Sequence, residues 1–178
     1  RVGTANEALG IGVAETTLGM IIAGLKGFFA GQAWTRQGHW HDPGLGTDHV
    51  VIRELFGVTI GVISASKVGL HVVRLLRNFE VEILLYDPFL TDDRARELGV
   101  RLATLEELVR QSDVVTLHAP ALPATRHMMG KKQFKAMKDH AIFINTARGM
   151  IVDENALVGE LKTGRISAFI DVTDPEPP

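Results

Sequence analysis

A short polar run, Ser64-Ala65-Ser66-Lys67-Val68-Gly69, follows an apolar stretch, VTIGVI at 58–63. After it comes an amphipathic segment in which Val68, Val72, Val73, Leu75 and Leu76 share the chain with His71, Arg74 and Arg77. That is the order strand, phosphate loop, helix. A helix N-terminus offers free backbone N–H groups and a partial positive charge, which suit a pyrophosphate. Dinucleotide loops of the G-x-G-x-x-G pattern have glycine at three positions. Here Ser64 and Ser66 occupy the first two, and only Gly69 fills the third. Serine adds a Cβ and a hydroxyl, so contact with phosphate would shift from close backbone approach to a side-chain O–H. An ordinary βα turn fits the same residues. Asp87 is the second signal, directly after VEILLY at 81–86. It stands about where an acid accepts hydrogen bonds from an adenosine ribose, and its charge would repel a 2′-phosphate, favouring NAD over NADP. The competing reading is an Asp-Pro pair that starts a turn.

Elements that could position these residues alternate along the chain. Apolar strands are expected at 58–63, 81–86, 113–117, 140–145 and 166–171, and helical patterns near 67–79, 92–98, 104–111, 131–137 and 153–163. A further helix is expected over 12–30, where Val13, Leu18, Ile21, Ile22, Leu25, Phe28 and Phe29 recur at helical spacing, and a loop over the Gly-, Trp- and His-rich stretch 31–49. Near-continuous apolar strands separated by helices imply a doubly wound parallel α/β sheet of Rossmann type, covered on both faces. Ligands of such sheets sit beyond the carboxyl ends of the strands. Polar runs stand there: YDP at 86–88, HAP at 118–120, NTARG at 145–149 and DVTDPEP at 171–177.

Composition narrows the class. The chain has 178 residues, enough for one domain with a real core. It is 46% hydrophobic and 22% charged, which makes it globular rather than disordered. A formal net charge of −2 gives no electrostatic reason to expect nucleic acid or an anionic membrane as partner. The absence of cysteine leaves no disulfide framework and fits a reducing, cytoplasmic setting. The longest apolar stretch, 16–30, is interrupted by Lys26 and falls short of a membrane span. With no Met at the start and DPEPP at the end, the chain is read as part of a longer protein.

Taken together, TIGVISASKVG, YDP, SDVVTLHAP, INTARGMIVDENALVGELKTGRISAFIDVTDPEP and the early VAETT resemble the D-isomer-specific 2-hydroxyacid dehydrogenases. The resemblance covers nearly the whole chain, and NTARG followed by DVxxxEP is its specific part. What matches is the family's coenzyme domain, so a substrate domain is expected outside these residues. The resemblance implies NAD as cofactor, a small D-2-hydroxy or 2-keto acid as substrate, and a homodimer formed through this domain. It also implies roles. Lys67 and Val68 stand where backbone and basic side chain cradle the pyrophosphate, beside Ser64 and Ser66, and Asp87 matches the ribose acid. Ala119, between His118 and Pro120, matches a strand-end position beside the cofactor. Thr17 meets the cofactor from the first helix; Thr146, Ala147 and Asp171 lie towards the nicotinamide. Arg148 matches the catalytic arginine, whose planar fork holds a 2-keto carboxylate and polarises its carbonyl. Glu176 matches the acid that orients a catalytic histidine and raises its pKa.

None of the seven histidines matches that catalytic histidine by motif, which the resemblance puts beyond Pro178. His118 is nearest to the expected site. His39, His41 and His49 share one loop without a carboxylate or cysteine pattern, so no metal site is expected. Two alternatives stay open: a non-catalytic NAD-sensing module similar to the family's corepressor branch, and a nucleoside-cofactor enzyme of another class, such as a methyltransferase.

Overall fold

The computed structural model describes residues 5–39 and 52–176, with side chains from Gly10 onward. Among these residues six strands form one sheet: β1 (Thr59–Ile63), β2 (Glu82–Tyr86), β3 (Arg101–Leu102), β4 (Val114–Leu117), β5 (Ile142–Asn145) and β6 (Ser167–Ile170). All pairs are parallel, and the order is β3-β2-β1-β4-β5-β6. Around the sheet lie α1 (Ala5–Leu25), α2 (Phe28–Arg36), α3 (Lys67–Leu76), α4 (Asp92–Leu98), α5 (Leu105–Gln111), α6 (Lys131–Ala136) and α7 (Glu154–Leu161).

The strands are apolar throughout because both faces are covered. On one face Ile63, Leu84, Val115, Leu117 and Phe143 pack with Leu108 of α5, Phe134 of α6 and Leu157 of α7. Their chain neighbours Val62, Leu85, Val114 and Ile144 point the other way, to Ile21 of α1 and Val72, Val73 and Leu76 of α3. The doubly wound architecture expected from the sequence is the one observed. Hydroxyl and carboxylate caps start four helices: Ser66, Thr91, Thr104 and Asp153 each accept from a backbone N–H three residues on.

Three details differ from the expectation. The single helix over 12–30 is two helices, broken at Gly27, which takes a left-handed φ of 62° that a continuing helix forbids. The segment expected as loop from 31 is helical as far as Arg36. Strand β3 was not expected: two residues carry no readable period, and only pairing with Leu84 and Leu85 of β2 makes them a strand. Trp34 is half-buried and stacks on His39 with ring centroids 4.0 Å apart, whereas Trp40, His41 and His49 lie outside the described residues. Helix α1 buries Ala14, Thr17, Ile21 and Leu25 along one face. No single described helix is long and apolar enough to cross a membrane.

Candidate cofactor site

The register brings the strand ends to one level. Ile63 pairs with Tyr86 on one side and Leu117 on the other, Leu117 pairs with Asn145, and Asn145 pairs with Ile170. The residues that follow, Ser64, Asp87, His118, Thr146 and Asp171, therefore form one rim. Strands β1 and β4 are neighbours in the sheet but not in the chain, and the connections leave them in opposite directions. A crevice opens at such a switch point.

Two adjoining clefts occupy it. The first, about 390 Å³, is lined by Ser64, Asp87, Phe89, Leu90, Leu122 and Met128 among others. The second, about 560 Å³, is lined by Val13, Lys67, Val68, Thr146, Ala147 and Arg148, with His118 in its wall. Ser66, Ala119 and Pro120 border both. The first cleft is largely apolar with one carboxylate, which suits a planar base and a ribose. The second has the α3 N-terminus, the Lys67 ammonium and the Arg148 guanidinium, which suit phosphate and carboxylate groups. A separate cleft of about 410 Å³, lined by Gly24, Phe29, His140 and Phe169 among others, lies at the amino ends of β5 and β6, away from the rim.

The phosphate loop is tightly built. Gly69 packs so close that a Cβ there would run into the Ser64 carbonyl. Ser66 is the N-cap of α3: its hydroxyl accepts from the Gly69 N–H at 3.2 Å. Ser64 has φ 83°, a left-handed value that costs a residue with a side chain on the order of 1 kcal/mol or more. Its hydroxyl donates to Asp87 Oδ2 at 3.3 Å, and the Ala65 N–H donates to the same oxygen at 2.8 Å. Asp87 Oδ1 accepts from the Phe89 N–H at 2.9 Å. Both serine hydroxyls are thus engaged inside the protein.

At the other side of the crevice Thr17 and Thr146 meet. The Thr17 hydroxyl donates to the Val13 carbonyl at 2.9 Å, so across the 3.1 Å Thr17–Thr146 contact Thr146 is the donor. Both are buried, and the bond ties α1 to the end of β5. Asn145, also buried, clamps the turn that follows: its Oδ1 accepts from the Ala147 N–H at 3.0 Å and its Nδ2 donates to the Arg148 carbonyl at 3.1 Å. This presents the exposed Arg148 side chain at the cleft, with one guanidinium N–H on the Ala147 carbonyl at 2.6 Å. Gly149 lets the turn pack on the Thr173–Asp174 backbone, which a Cβ would hit.

His118 is buried, with Nε2 2.9 Å from the Thr116 hydroxyl and Nδ1 without a partner. Burial pushes its pKa down to about 4, so the imidazole is neutral near pH 7. Of the residues expected at the site, Ser64, Ser66, Lys67, Val68, Asp87, His118, Ala119, Pro120, Thr146, Ala147 and Arg148 line the crevice, and Thr17 lies buried behind Thr146. Asp171 and Glu176 are exposed and line neither cleft. Sequence reasoning missed Asn145 and Gly149 as supports of Arg148, and Ser66 as a helix cap. A serine directly before an amphipathic run and an asparagine opening a turn were the available signals.

Residues 18–178 match the family model described as D-isomer specific 2-hydroxyacid dehydrogenase, NAD binding domain. The chain is 38% identical to a D-3-phosphoglycerate dehydrogenase of Methanocaldococcus jannaschii over 181 aligned residues, 99% of this chain and 33% of that one. It is 35% identical to a glyoxylate reductase of Korarchaeum cryptofilum, covering 92% of this chain and 49% of the relative. Among solved structures it is similar to the D-lactate dehydrogenase of Aquifex aeolicus, described as complexed with NAD and lactic acid, at TM-score 0.82 and 31% identity over 91% of this chain and 47% of that one. The chain thus spans from about a third to about half of the length of these relatives.

Proposed function

The chain belongs to the D-isomer-specific 2-hydroxyacid dehydrogenases as an NAD-binding domain, and on that premise we propose that the whole protein transfers hydride between NAD(H) and a small D-2-hydroxy acid or its 2-keto acid. The observation that carries this reading is the crevice itself: a carboxylate in its apolar half, two cations and a helix N-terminus in the other. In this reading Asp87 accepts from the ribose hydroxyls, while the α3 N-terminus at Lys67 and Val68, bordered by Ser64 and Ser66, holds the pyrophosphate. His118, Ala119 and Pro120 shape the wall between, and Thr17, Thr146, Ala147 and Asp171 stand on the nicotinamide side. Bound NAD supplies the carbon that accepts or donates the hydride. Arg148 holds the substrate carboxylate through paired N–H donors and polarises the reacting carbonyl. Glu176 orients the histidine that exchanges a proton at the substrate oxygen. On the family resemblance we assign that histidine to a part of the protein outside residues 1–178; His118, the nearest to the cleft, is buried and neutral.

Two finer points belong to the same proposal. Phe28, Phe29 and Phe56 are well exposed, and exposed apolar surface of this kind supports a homodimer formed through this domain. A cysteine-free chain using NAD fits the cytoplasm. The test is fluorescence titration with NADH, NADPH and S-adenosylmethionine, followed by steady-state reduction of pyruvate, glyoxylate and hydroxypyruvate by the whole protein. NADH should bind most tightly and at least one keto acid should turn over. Preference for S-adenosylmethionine, or NADH binding without turnover of any 2-keto acid, would overturn the reading.

A further inference from the structure

We propose that Asp87 is a positioning residue of the phosphate loop, holding Ser64 in its left-handed conformation through the Ser64 hydroxyl and the Ala65 amide, as well as the ribose acceptor. The inference rests on the reading of this crevice as an NAD(H) site.

Glycine adopts a positive φ without steric cost, so a G-x-G-x-x-G loop keeps its shape unaided. Here the first position is Ser64, at φ 83°, and something must hold it there. Its surroundings leave little freedom. The Ser64 N–H continues the sheet by donating to the Tyr86 carbonyl at 2.7 Å. The Ser64 carbonyl lies against Gly69 so closely that the site has no room for a Cβ. Between these two anchors the Asp87 carboxylate gathers the hydroxyl of Ser64 and the N–H of Ala65 on one oxygen, at 3.3 and 2.8 Å. The other oxygen is fixed by the Phe89 N–H at 2.9 Å, so the carboxylate is itself oriented before it orients the loop. An ionised carboxylate offers about four acceptor sites. Three are used within the protein, and Asp87 lines the apolar cleft that the proposed reading gives to the ribose.

The consequence separates Asp87 from an ordinary ribose acid. Removing a residue that only accepts from ribose weakens NADH and spares or improves NADPH. Removing Asp87 here also releases the loop that the pyrophosphate of either nucleotide needs. Glycine at position 64 should uncouple the two roles.

The experiment is a double-mutant cycle. NADH and NADPH affinities are measured by fluorescence for the unsubstituted protein, Ser64→Gly, Asp87→Ala and the double variant. With Ser64 present, Asp87→Ala should weaken both nucleotides, NADPH by about tenfold. In the Ser64→Gly background the same change should weaken NADH several-fold, as lost ribose hydrogen bonds do, and leave NADPH unchanged or tighter. Asp87→Asn keeps one acceptor oxygen and should retain part of the NADPH affinity. Thermal unfolding without nucleotide gives a second readout: Asp87→Ala should lower the midpoint more with Ser64 than in the Ser64→Gly background. If Asp87→Ala folds only when combined with Ser64→Gly, that rescue is the same coupling. Equal effects of Asp87→Ala on NADPH in both backgrounds, or loss of folding in both, would overturn the proposal while NADH binding by the unsubstituted protein stands. If the unsubstituted protein binds no NADH, the site reading fails and takes this role of Asp87 with it.

Discussion

Arg148 and His118 face the same cleft with opposite electrostatic characters. Arg148 is exposed at the cleft, and its backbone is held by the buried Asn145 amide, which fixes where its charge is presented. Arg148→Ala should lower kcat/KM for 2-keto acids on the order of 10²–10³-fold, as loss of an oriented donor to a developing oxyanion does. NADH affinity should stay within about twofold if, as proposed, the guanidinium meets substrate rather than cofactor phosphate. Comparable losses in both would move Arg148 to the cofactor. His118 is the reverse case, kept neutral by burial. Unfolded, it takes up a proton near pH 6.5; folded, it resists until about pH 4. The unfolded state therefore gains protons first as pH falls. Stability should drop by roughly 1.4 kcal/mol per pH unit through that window, with no further loss from this group below it. Denaturant unfolding between pH 7 and 4 checks this, and His118→Gln should flatten the slope.

Element packing decides which glycines matter. Gly69 sits where the first turn of α3 meets the end of β1, and a Cβ would strike the Ser64 carbonyl. Gly159 lies inside α7 with open space around it. Gly69→Ala should distort the phosphate loop and reduce NADH affinity at least tenfold, because the obstacle is backbone rather than a movable side chain. Gly159→Ala should instead stabilise the protein by about 0.5–1 kcal/mol, through helix propensity and a less flexible unfolded chain. Thermal unfolding and NADH titration of the two variants side by side test this contrast. A Gly69→Ala protein with unchanged affinity would mean that the loop shape does not set pyrophosphate binding.

For the whole molecule the open question is association. The α2 face presents Phe28 and Phe29, 59% and 64% exposed, and Phe56 at 72% stands on the connection to β1. Phe29 also packs against Phe169 of β6 as a tilted ring pair with centroids 5.5 Å apart, so this part of the apolar surface is anchored to the sheet. The homodimer proposed above should cover it. Sedimentation across micromolar concentrations should show a dimer, and Phe28→Asp should shift the equilibrium towards monomer while leaving NADH affinity unchanged. A protein that stays monomeric throughout that range would count against an interface here.

How far a reading of residues can go is visible in the same elements. The strands at 58–63, 81–86, 113–117, 140–145 and 166–171, and the polar runs after them, were legible because a parallel strand buried on both faces needs an uninterrupted apolar run. The loops at its carboxyl end are free to be polar. Ser64, Asp87, His118 and Thr146 could be named as rim residues on that basis alone. Family motifs added roles but not positions: Asp171 and Glu176 carry the family pattern yet line neither cleft. What the tertiary structure decided depends on residues meeting across distance. The bond from Ser64 to Asp87 and the two-residue strand β3 exist only because the register aligns strand ends and edges, and the hydroxyl pair Thr17–Thr146 only because α1 docks at the end of β5. The break at Gly27 has a local cause, yet helical periodicity runs through it unchanged, since apolar spacing records which face is buried and not the sign of φ. By itself the sequence determined which residues reach the rim, through patterns that repeat along one chain. The structure decided how those residues hold one another, because a hydrogen bond between distant residues leaves no period to read.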